Sequence, residues 1–179
     1  ASSLSSSLHR NFFKKTIEAV RIMREKGHEV KIISTSTPPH GIFGTKEKWF
    51  MRVGKKDAAE FYNILGSSDL VVQHQGLGTL AQAISARIPV IANVRDLIYE
   101  KSPYHAHAWE VSPFAKFGVC SMLFFSASAS ALAEEIEKLL YDNKAISRMK
   151  RRQAMLYTQG ERHVFQEVAR LVRHSVLSK

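Results

Sequence analysis

With 179 residues, 45% of them hydrophobic, the chain can fill one sizeable core and hardly two, so a single domain over 1–179 is expected. A lone cysteine rules out an intrachain disulfide and fits a reducing, cytoplasmic setting. The longest apolar runs fall far short of the roughly 20 residues a spanning helix needs, while a net charge of +10 leaves room for peripheral attachment to an anionic surface.

The opening stretch Ala1 to Ser7 is Ser-rich and reads as a loop or a frayed end. Asn11 to Lys26 carries Phe13, Ile17 and Val20 at helical spacing, with Gly27 as its stop. Val30 to Ser34 follows as a strand. Thr35 to Gly54 contains two prolines and three glycines, which predicts an irregular loop ending in one short apolar strand around Trp49, Phe50 and Met51. Asp57 is placed to cap a helix running to Leu65.

Leu70, Val71 and Val72 form a continuous apolar run of the parallel-sheet kind. They lead into His74, a loop with Gly76 and Gly78, and a small-residue helix opening near Thr79. The run Pro89 to Val94 is then a second apolar strand. Glycines let a ligand approach the backbone, and the free N–H groups of a helix start hold anions. Thr79 serves equally well as an ordinary cap.

Tyr104 to Phe117 is predicted helical and Val119 to Phe125 a strand, with Cys120 a packed residue rather than a nucleophile. Ser130 is expected to cap a helix buried through Leu132, Ile136, Leu139 and Leu140. Helices over Lys144 to Tyr157 and Glu161 to Leu177 close the chain. From Lys144 onward there are nine Lys and Arg against two Glu. That tail is either a solvated helix face or a dock for anionic lipid or an acidic partner. No recognition helix or stacking motif accompanies it, so no nucleic acid is expected. His105 and His107 alone do not make a zinc site, and no metal is expected.

Strands alternating with helices at this spacing predict an α/β fold with a doubly wound, Rossmann-like parallel sheet. Such a half-domain begins with a strand before its first loop, whereas here the first residues read as loop. The chain is therefore expected to be a piece of a longer polypeptide, or a subunit, whose upstream strand lies in the sheet.

The order strand, His-x-Gly-x-x-Thr, helix, Pro-Val-Ile strand in His74 to Ile91 resembles the C-terminal, nucleotide-sugar-binding half of GT-B glycosyltransferases. It is most similar to the family 28-like branch that includes the N-acetylglucosaminyltransferase of peptidoglycan lipid synthesis and the catalytic subunit of the dolichol-linked transferase. The resemblance implies a metal-independent hexosyl transfer from a UDP-sugar, needing no cofactor and completed by an acceptor-binding domain or subunit. It places Gly76, Leu77, Gly78 and Thr79 against the diphosphate with His74 beside them, Met51 and Val53 at the uracil, and His105 and His107 near the sugar. It names no catalytic base in this half.

Two positions depart from the family pattern. Gln82 stands where a ribose-binding glutamate is usual, which removes a charge-assisted hydrogen bond. Arg87 stands where glycine is usual, so it demands either ordinary backbone or some strain. Arg95 and Asp96 resemble, faintly, an Arg-Asp segment of nucleotide-sugar epimerases, which makes an epimerase the first alternative. A degenerate, non-catalytic domain docking through its basic tail is the second.

Overall fold

Short apolar strands framed by amphipathic helices pair side by side in one direction. The computed structural model describes residues 6–35, 47–54, 56–74, 77–95 and 107–156. Strands β1 (Ile32–Ser34) and β2 (Phe50–Arg52) pair in parallel, and β3 (Val71–His74), β4 (Val90–Val94) and β5 (Ser121–Phe124) form a second parallel sheet in the order β3-β4-β5. The helices are α1 (Ser6–Glu25), α2 (Ala58–Gly66), α3 (Leu77–Ser85), α4 (His107–Phe117) and α5 (Ala129–Tyr141), followed by α6 over 143–156. This is the expected α/β alternation.

All five residues of β4 are buried, as a strand covered on both faces requires. Ile91 packs into a cluster with Ile17, Val20 and Met23 of α1 and Leu132, Ile136 and Leu139 of α5. Its neighbours Val90, Ala92 and Val94 point the other way, into a cluster with Leu80, Ala83 and Ile84 of α3 and Val111 of α4. The sheet is thus doubly wound, and each fully buried Val, Ile or Leu contributes about 1.5–3 kcal/mol.

Helix ends follow local chemistry. Gly27 takes a left-handed φ of 91°, and the His28 N–H returns to the Met23 carbonyl at 3.1 Å, so α1 stops where expected. Asp57 caps α2 by accepting from the Glu60 N–H at 2.8 Å. The cap of α5 is Ser128, whose hydroxyl accepts from the Ala131 N–H, and not Ser130, which lies one position inside the helix. Ser6 already belongs to α1, so the helix starts earlier than the Ser-rich composition implies. The expected helix over 161–177 lies outside the described residues.

Arg87 adopts the left-handed φ of 55° that its sequence position made costly. The Ile88 N–H bonds the Ala83 carbonyl and the Arg87 N–H the Ile84 carbonyl, both at 3.0 Å, closing α3 around it. Behind this turn, Gln153 of α6 is fully buried and donates from Nε2 to the carbonyls of Ile88 at 2.9 Å and Val119 at 3.0 Å. One side chain thereby ties α6 to the approaches of both β4 and β5.

None of the described helices is long and apolar enough to cross a membrane. Cys120 is 4% exposed and burial pushes its thiol up to about 12, as expected of a packing residue.

Candidate functional site

Three apolar strands, one in the first sheet and two in the second, turn polar toward their carboxyl ends. Ser34 ends β1, Gln73 and His74 end β3, and Asn93 sits one residue from the end of β4. Ser34, Gln73 and Asn93 are buried, and strands in the core gain nothing from polar side chains unless these are paired. Asn93 donates from Nδ2 to the Leu123 and Phe124 carbonyls at 3.2 Å each. Its Oδ1, both amide atoms of Gln73, Nδ1 of His74 and Nε2 of His9 are buried with no hydrogen-bond partner among the described residues. Orphaned polar atoms of this kind call for a ligand or water. His74 and Asn93 on the α1 face and Gln73 on the opposite face all lie at the carboxyl ends of parallel strands, where open α/β sheets bind ligands.

His74 is the centre of the group. Its register partner across the sheet is Asn93. Its ring lies 5.0 Å from the His9 ring and 4.8 Å from the Phe12 ring, both on α1. Burial, helped by the neighbouring His9, pulls its pKa down to about 4, and burial also lowers that of His9. Both imidazoles are therefore neutral near pH 7. A neutral imidazole offers one N–H donor and one acceptor nitrogen. An anion placed beside it would favour the imidazolium and raise its pKa.

α3 begins at Leu77, so Thr79 is its third residue rather than its cap. Leu77 and Gly78 are exposed and Thr79 is half-buried. A Cβ built on Gly78 would meet nothing within 4 Å, so packing does not require the glycine there. The first-turn N–H groups of a helix have no intrahelical partner and carry partial positive charge.

His74 ends β3, and Leu77, Gly78 and Thr79 open α3 three residues further along the chain. Gly76, in that connection, and His105 lie outside the described residues, and of His107 only the backbone is placed, at the start of α4. Gln82 reaches from α3 to α2, where its Nε2 donates to the Tyr62 hydroxyl at 3.3 Å. Met51, 58% exposed, and Val53 belong to β2 and its end, in the other sheet from His74. Among the described residues no cluster of three or more His, Cys, Asp or Glu could hold a metal.

Sequence reasoning missed His9, Gln73 and Asn93. The available signal was polar residues at the downstream ends of otherwise apolar strands. His9 falls between the Ser-rich opening and the helix expected from Asn11, so no helix phase was assigned to it.

No protein-family model matches the chain, and no curated protein matches it. Among solved structures, a Listeria monocytogenes protein described as a UDP-N-acetylglucosamine 2-epimerase superposes with a TM-score of 0.60 at 20% identity, covering 91% of this chain and 43% of that one. The likeness establishes the fold, a Rossmann-like half of a GT-B-like architecture. The chain spans less than half the length of that neighbour.

Proposed function

We propose that the end of β3 and the first turn of α3 bind the diphosphate of a UDP-sugar, and that this single domain is the donor-binding half of a hexosyl-transferring glycosyltransferase. An acceptor-binding domain or subunit would complete it. The observation that supports the reading is that the unpartnered polar atoms of His74, Asn93 and Gln73 lie at the carboxyl ends of parallel strands, with His9 of α1 against His74.

The chemistry follows from that arrangement. When the acceptor hydroxyl attacks the anomeric carbon, the bond to the diphosphate breaks and negative charge grows on the leaving oxygens. The amides of the first turn of α3, the Thr79 hydroxyl and an N–H of His74 are donors already in place for that charge, which is how preorganised sites lower a barrier. Holding the sugar in line is the domain's other task. Gln82, with one neutral acceptor in place of a carboxylate, makes ribose recognition weaker than in the transferases the sequence resembles.

A second reading is epimerisation, favoured by the identity of the structural neighbour. Incubation with UDP-N-acetylglucosamine separates the two. Transfer requires an added acceptor domain before UDP appears, whereas an epimerase releases UDP or an altered sugar alone. Calorimetry comes first: UDP should bind and uridine should not, because the diphosphate supplies the contacts. Equal binding of UDP and uridine would contradict the assignment.

A further inference from the structure

Two imidazoles meet where α1 crosses the end of β3. His9 and His74 lie with ring centroids 5.0 Å apart and planes tilted by 57°. Phe13 packs T-shaped on His9 at 5.0 Å and Phe12 on His74 at 4.8 Å, and both phenyl rings are buried. These walls offer neither donor nor acceptor. Nε2 of His9 and Nδ1 of His74 are buried with no hydrogen-bond partner among the described residues, and burial keeps both rings neutral near pH 7.

A neutral imidazole carries its proton on one nitrogen, and which one is set by what the other nitrogen meets. Two neighbours compete for Nδ1 of His74. Asn93, its register partner on β4, spends the hydrogens of its Nδ2 on the Leu123 and Phe124 carbonyls. It can therefore offer His74 only the acceptor Oδ1. Paired with Asn93, His74 would hold its proton on Nδ1 and turn the lone pair of Nε2 outward.

His9 can do the opposite and donate from Nε2. Ring nitrogens lie about 1.1 Å from the ring centre, so centroids 5.0 Å apart let facing nitrogens approach to about 2.8 Å, a hydrogen-bond distance. A half-turn of an imidazole about Cβ–Cγ exchanges its nitrogen and carbon positions and leaves its outline unchanged. The phenyl walls do not hinder that bond.

We propose that His9 is a positioning residue: its Nε2–H donates to Nδ1 of His74 and so holds the proton of His74 on Nε2. The inference rests on the reading that diphosphate binds beside His74. Nε2 of His74, unlike Nδ1, is not among the enclosed ring atoms, so it is the nitrogen a ligand reaches. With the proton there, His74 presents a donor to a phosphate oxygen. With the proton on Nδ1 it would present a lone pair to an anion, which is repulsive. His9 touches no phosphate in this arrangement and acts only through His74.

Nitrogen-15 spectroscopy of the histidine rings reads the tautomer in the free chain at pH 7, and wild-type His74 should be protonated on Nε2. His9→Phe keeps a ring between Phe13 and His74 but removes the donor. The His74 proton should then move to Nδ1, and UDP affinity should fall by about tenfold, the effect of losing one hydrogen bond to a charged group. His9→Gln sets an amide N–H near the lost Nε2–H, and should restore both Nε2 protonation and most of the affinity. Three results would overturn the proposal: wild-type His74 protonated on Nδ1, a folded His9→Phe chain that keeps Nε2 protonation, or a His9→Gln chain with the Nδ1 tautomer. The tautomer is read without ligand, so Nε2 protonation in a wild-type chain that fails to bind UDP would support the His9 contact while contradicting the diphosphate reading.

Discussion

His74 shows how one side chain couples fold and ligand. Its pKa sits near 4 in the folded chain, against 6.5 for an unperturbed imidazole. The unfolded chain therefore takes up a proton between those values while the folded chain does not, so stability is fully present above about pH 6.5 and is lost as pH falls toward 4. Replacing His74 with Phe should flatten the pH dependence of the denaturation midpoint in that window, and an unchanged slope would place the titration elsewhere. Linkage adds a second expectation. If diphosphate binds beside His74 it favours the imidazolium, so UDP affinity should rise as pH falls toward about 4, for as long as the fold persists.

At Arg87 the conflict between residue and backbone is direct. A left-handed non-glycine residue costs about 1–2 kcal/mol, partly offset by the greater unfolded-state freedom of glycine. Arg87→Gly should raise stability by about 0.5–1 kcal/mol in urea denaturation. The sequence made this tension visible, since a helix closing on proline and a strand needs a cap, but not which of the two outcomes would hold. His9 and Asn93 could not be placed in the same way, because their importance comes from β3, β4 and α1 meeting in space.

Helix and strand boundaries divide along the same line. Asp57 and Gly27 act locally, through one capping bond and one φ value, and both were legible in the sequence. Ser128 and Ser130 offer the same hydroxyl two residues apart, and only the backbone decides between them. Gln153 was illegible, since its partners are carbonyls far away in the chain. Gln153→Leu should cost about 1–3 kcal/mol, because two buried carbonyls lose their donor, with thermal melting as the measure. The first turn of α3 should behave oppositely. Gly78→Val meets open space, so it should alter stability by less than about 1 kcal/mol while weakening UDP at least tenfold.

The molecule as a whole joins two windings at one place. Alternating strands and helices gave the fold class without the structure, because short apolar runs at that spacing admit little besides a parallel sheet covered on both faces. The division into two sheets was not legible, since strand order depends on which face each helix covers. Exposed Lys144, Arg148, Lys150, Arg151 and Arg152 on or beside α6 keep that end strongly basic. Binding of the chain to vesicles containing phosphatidylserine should weaken as salt rises if this charge docks on membranes.

The most direct test of the central claim is a titration of the ¹⁵N-labelled chain with UDP. Amide shifts should move at Leu77, Gly78 and Thr79 in α3, together with the side-chain signals of His74 and Asn93, and remain still in α6. Saturating millimolar UDP that leaves those residues unmoved, or that moves only the basic surface of α6, would contradict the account.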